Sequence, residues 1–63
     1  MTQKELLYVE DAVNHEKNII DIINDMVGSV EDAEIIDFID KELEKHEKMK
    51  EKLLNLLEEK SNE

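Results

Sequence analysis

The one glycine of this chain, Gly28, lies close to the middle of its 63 residues, and proline is absent. A chain with a single backbone breaker has few places to turn. The reading that follows is two helices joined by one turn, an all-α antiparallel hairpin. Thr2-Gln3-Lys4-Glu5 has capping-box spacing, with Thr2 placed to accept from the amide of Glu5. Helix 1 is expected over about residues 3–27. Gly28 suits a left-handed C′ position, with Val30 following as the apolar residue of a Schellman-type stop over Ile23. Ser29 is the expected N-cap of a second helix over about residues 30–59. The turn is then residues 28–29, and residues 60–63 form a frayed tail.

Charge placement agrees with the second helix. Residues 31–40 hold five acids and no lysine, whereas residues 41–52 hold five lysines and four glutamates. Acid at a helix start and base further along complement the helix dipole. Asp37/Lys41 and Glu44/Lys48 add pairs at i,i+4 in the favourable sense.

The apolar pattern is wider than a hairpin needs. In helix 1, Leu6, Val9, Val13, Glu16, Ile20, Ile23 and Val27 recur at three- and four-residue spacing. Beside them runs Tyr8, Ala12, His15, Ile19, Ile22 and Met26. In helix 2 one stripe is Ile36, Ile39, Leu43, His46, Lys50, Leu53 and Leu57. Its neighbour is Ile35, Ile39, Glu42, His46, Met49, Leu53 and Leu56. One seam between two helices covers one stripe on each, so the second stripe asks for another partner. The expectation is a homodimer of hairpins forming a four-helix bundle. Leu6, Val9, Val13, Ile20, Ile23, Ile36, Ile39, Leu43, Leu53 and Leu57 are its core. Tyr8 is expected as a core-edge anchor near the open end, and Met26 and Met49 as core gap-fillers.

Composition removes several function classes. There is no cysteine, hence no disulfide, thiol nucleophile or thiolate zinc site. The formal charge is −10, and all eight basic residues are lysine, which disfavours nucleic acid. No apolar run is long enough to span a membrane, no helix has a basic polar face, and no secretory signal opens the chain. A cytoplasmic location is expected. Ser29 and Ser61 have no histidine near them, so nucleophilic catalysis finds no support. A protein without enzymatic activity, whose partner is itself and in some settings another protein, is the expectation.

One constellation stands apart. His15 and Glu16 interrupt the stripes of helix 1, and Glu42 and His46 those of helix 2. With a turn at residues 28–29, residues 15 and 16 face residues 42 and 43, so all four groups fall in one layer. One reading is a polar layer that fixes register in an otherwise apolar bundle. The other is a carboxylate–histidine metal site, in which a dimer pools two Glu16, two Glu42 and two His46, with His15 as an auxiliary ligand. Iron, manganese or zinc would be its metal; on the first reading there is no cofactor.

The run Leu7-Tyr8-Val9-Glu10-Asp11-Ala12-Val13-Asn14-His15-Glu16-Lys17, then Glu31-Asp32-Ala33-Glu34-Ile35-Ile36-Asp37-Phe38-Ile39 and His46, resembles small ferritin-like helical hairpins of spore-forming Firmicutes, the group around spore coat protein F. The resemblance implies a ferritin-like half-bundle and a structural, coat-associated role. It matches Glu16 to the helix 1 carboxylate and His46 to the helix 2 imidazole. Leu43 stands where the ferritin-like Glu-x-x-His pattern has glutamate.

Overall fold

The structure is a computed structural model. It describes the backbone of residues 1–61 and the side chains of residues 1–60. Two helices make up the described chain, α1 over Gln3–Val27 and α2 over Ala33–Ser61. Asn62 and Glu63 of the expected frayed tail lie outside the described residues, whereas Lys60 and Ser61 belong to α2.

α1 begins where the capping box places it. Thr2 Oγ1 accepts from Glu5 N at 3.1 Å, and Glu5 Oε1 accepts from Thr2 N at 2.8 Å. This reciprocal pair satisfies two amides that the helix itself leaves open. The carboxylate of Glu5 is held below its ordinary pKa range, first by the backbone N–H of Thr2 and then by the Thr2 side chain.

The end of α1 departs from the sequence expectation. Gly28 has φ −69° and ψ −15°, right-handed helical backbone, and no residue among those described has a positive φ. The last carbonyls are met by tightening instead. Ser29 N donates to Met26 O at 3.0 Å, and Val30 N to Val27 O at 3.5 Å. Such i→i+3 closures need no left-handed residue. There is no Schellman stop.

α2 also starts later than expected, at Ala33 rather than near Val30. Its N-cap is Asp32, not Ser29. Asp32 Oδ1 accepts from Glu34 N at 2.9 Å and from Ile35 N at 3.2 Å. A carboxylate here answers two open amides and the positive end of the dipole together. The connection therefore spans residues 28–32. Glu16 pairs with His46 across the seam, with Glu42 beside it.

The seam follows the first stripe of each helix. Val13, Ile20, Ile23 and Ile39 are buried. Leu6, Val9, Val27, Ile36, Leu43, Leu53 and Leu57 are half-buried along the same line. Lys50 lies half-buried at its edge, its stem against the seam. Valine and isoleucine are weak helix formers, so α1 depends on this packing more than on local propensity.

The result is a rod measuring 47 × 14 × 11 Å. The least dimension is about one helix diameter, so the molecule is a single layer. Its radius of gyration is 14.6 Å, against about 10.6 Å for a compact domain of this length.

Three outcomes follow. At Gly28 an added Cβ meets nothing nearer than Asp25 O at 4.0 Å. Gly28→Ala is expected to stabilise the fold by about 0.4–1 kcal/mol in thermal melts; a loss of stability would point to a left-handed stop. Asp32→Ala should cost about 1 kcal/mol, while Ser29→Ala should cost little. Thr2→Ala should return the Glu5 pKa towards its ordinary range in an NMR titration. Because the folded-state pKa of Glu5 is depressed, its share of stability is present at neutral pH and is lost as pH falls through the folded value.

Candidate functional site

At mid-length the apolar seam is broken by a cluster of three ionisable side chains. α1 supplies Glu16 and α2 supplies His46 and Glu42, one turn apart on the same face. His46 Nδ1 donates to Glu16 Oε2 at 2.6 Å. The distance belongs to a charge-assisted hydrogen bond. His46 Nε2 lies 3.6 Å from Glu42 Oε2, within ion-pair range and beyond hydrogen-bonding range. Exposure falls towards the α1 partner: 34% for Glu42, 24% for His46 and 16% for Glu16.

The helices dictate this arrangement. Glu16 occupies the stripe position between Val13 and Ile20, and His46 the one between Leu43 and Lys50. Each is carried inward by the same periodicity that buries its apolar neighbours. A carboxylate so placed would lose water without a partner, and the imidazole supplies one. No buried side-chain nitrogen or oxygen among the described residues is left unsatisfied.

His15 does not join the cluster. It is exposed, on the neighbouring stripe of α1. Among the described residues no group of three or more His, Cys, Asp or Glu is arranged to hold a metal ion. The donor chemistry agrees. With Nδ1 committed to Glu16, a cation at Nε2 would find Glu42 as its one other protein ligand. Two donors fall short of the four that zinc takes and the six or so of manganese or iron sites. Within one chain the residues do not fit the di-metal centre, and Leu43 stands where its Glu-x-x-His pattern has glutamate. What the geometry provides is one short bond across the seam, between Glu16 on α1 and His46 on α2.

The second feature is the open side of the rod. Tyr8, Ile22 and Phe38 are 61%, 58% and 63% exposed. Leu7, Met26, Ile35, Met49 and Leu54 are exposed as well. Within the single hairpin the Tyr8 ring lies under Lys4, with Nζ 5.9 Å from the centroid, rather than against the leucines of α2, and Met26 and Met49 lie outside the seam. Phe38, which belongs to neither stripe expected for α2, is the most exposed large apolar side chain described. Its spacing from Ile35, three residues, and from Glu42, four, is the signal that places it there.

Leu7 and Leu54 lie to the other side of the seam, and the rest share one side. At about 100° per residue, Tyr8, Ala12, Ile19, Ile22 and Met26 sit to one side of the α1 seam. Phe38, Met49 and Leu56 sit to the same rotational side of the α2 seam. Because the helices are antiparallel, the same rotational offset brings both stripes out on one flat face of the hairpin. His15 and Glu42 interrupt that face at mid-length.

Compared with known proteins, the chain matches no family model, no curated protein and no solved structure. Among the described residues no helix is long and apolar enough to cross a membrane.

Removing one member of the Glu16–His46 pair leaves the other partly buried without its partner. His46→Leu is expected to cost about 1–3 kcal/mol. Glu16→Leu combined with His46→Leu should recover most of that loss. A double variant whose loss equals the sum of the losses of Glu16→Leu and His46→Leu would show that the pair is not coupled. Excess manganese, iron(II) or zinc should leave the melting temperature of the parent protein unchanged.

Proposed function

We propose that the chain is a non-enzymatic, self-associating helical hairpin. Its open apolar face is covered by a second copy, and the homodimeric four-helix bundle serves as a structural or protein-interaction element. The observation that carries this reading is the set of exposed apolar side chains, Tyr8, Ile22, Met26, Phe38 and Met49, that both helices bring to one face of a single-layer molecule.

Size supports it. The accessible surface is 5007 Å². A compact monomer of 7.4 kDa is expected to expose about 4,200 Å². The excess, about 800 Å², is comparable with what each partner buries in a standard protein interface. Chains of this length often reach adequate stability by association. Exposed apolar patches rimmed by charge mark interaction surfaces, and charge is plentiful on the remaining faces. The coat-associated setting that the family resemblance implies belongs to the same proposal and rests on that resemblance alone.

In this reading the Glu16–His46–Glu42 cluster positions rather than catalyses. It holds α2 at one height against α1, which keeps the two exposed stripes aligned as one face.

Sedimentation velocity at micromolar concentration should give a species of twice 7.4 kDa. Ile22→Glu combined with Phe38→Glu places charge on exposed positions that leave the seam intact. That variant should sediment as a folded, helical monomer. A parent protein that is itself a folded monomer would overturn the proposal.

A further inference from the structure

Self-association leaves the orientation of the second copy open. A two-fold axis along the helices stacks the two hairpins with their turns at the same end. A two-fold axis across the helices, in the plane of the face, puts the turns at opposite ends. Both make every neighbouring helix antiparallel and both set apolar stripe on apolar stripe. Hydrophobicity does not choose between them.

Charge does. Residues 18–40, the half of the hairpin that carries the turn, hold seven acidic residues and no lysine. The other half holds eleven acids and all eight lysines. The turn half therefore carries −7 of the −10 charge. Packed helices lie about 8–10 Å apart, within the Debye length of about 8 Å or close to it at physiological salt. Turns at the same end would set one acidic half against another across that gap. Turns at opposite ends set each half of charge −7 against the partner half of charge −3, the weaker of the two repulsions.

We infer that the open face receives a second copy of this chain with its turn at the opposite end, α1 lying on the partner's α1 and α2 on the partner's α2. The inference rests on the self-association proposed above. The midpoints of α1 and α2 lie at His15 and Glu47, from the bounds Gln3–Val27 and Ala33–Ser61. A two-fold axis at that height makes the pairing specific. Tyr8 lies level with the partner's Ile22, and Phe38 with the partner's Leu56. Glu42 lies level with the partner's Lys52, which gives the outer carboxylate of the polar cluster a cation across the interface. His15 sits beside the axis, next to the partner's His15. This accounts for the placement of His15 on an otherwise apolar stripe without involving it in the Glu16–His46 bond. Like-charge contact against the wrong orientation, more than attraction in the right one, sets the choice.

The absence of cysteine makes the test clean. His15→Cys alters an exposed position, so the fold should tolerate it. Under mild oxidation this single variant should form a covalent dimer with itself. Tyr8→Cys alone should not, while Tyr8→Cys mixed with Ile22→Cys should give the mixed disulfide. If the turns lie at the same end, His15→Cys stays uncrosslinked alone and forms a mixed disulfide with Lys45→Cys or Met49→Cys, the outer-face positions that flank the level of Glu47. That outcome overturns the orientation and leaves self-association standing. Parent protein that sediments as a monomer overturns both.

Discussion

Two helices packed along one seam can bury one stripe of each, and this chain carries two. Every other feature of the structure is arranged around that mismatch. Four residues are buried, Val13, Ile20, Ile23 and Ile39, while Ile22, Phe38, Tyr8 and Met26 remain in solvent. A hydrophobic face of this kind is costly to leave wet, and a molecule 11 Å thick has no second layer with which to cover it. The mismatch is thus the physical origin of the proposed dimer.

In the proposed reading the Glu16–His46 bond helps to hold this seam in register. An apolar stripe of isoleucines, valines and leucines would pack in more than one axial setting, since sliding by a turn replaces one branched aliphatic with another. A short hydrogen bond between partly buried groups, 2.6 Å long, is satisfied in one setting. Such a pair adds specificity more readily than stability. Glu42, one turn away and more exposed, extends the cluster towards the open face. The polar layer therefore links the packing inside the hairpin to the surface that a second copy would cover.

Much of this was legible in the chain. The capping box at Thr2 and Glu5 marks the start of α1, and the three- and four-residue spacing separates the seam from the outer stripe. Glu16 and His46 are visible as the polar members of that spacing. The turn was not legible in the same way. Gly28 and Ser29 carry a strong local stop-and-start signal, but Asp32 is also a good N-cap, and tightened i→i+3 bonds at Met26 and Val27 remove the need for a left-handed glycine. Burial of the outer stripe in a single hairpin was not legible either, because periodicity shows which residues share a face and not whether anything covers it. The exposure of Tyr8 follows from that: its ring finds Lys4 rather than the leucines of α2.

Small-angle X-ray scattering tests the central claim most directly, because it reads mass and shape together. A face-to-face dimer doubles the mass and the thickness of the particle without lengthening it. The forward scattering should give twice 7.4 kDa, with a maximum dimension still set by the 47 Å rod. A particle of 7.4 kDa whose radius of gyration is near that of the single hairpin, 14.6 Å, would contradict the account, as would a dimer extended end to end.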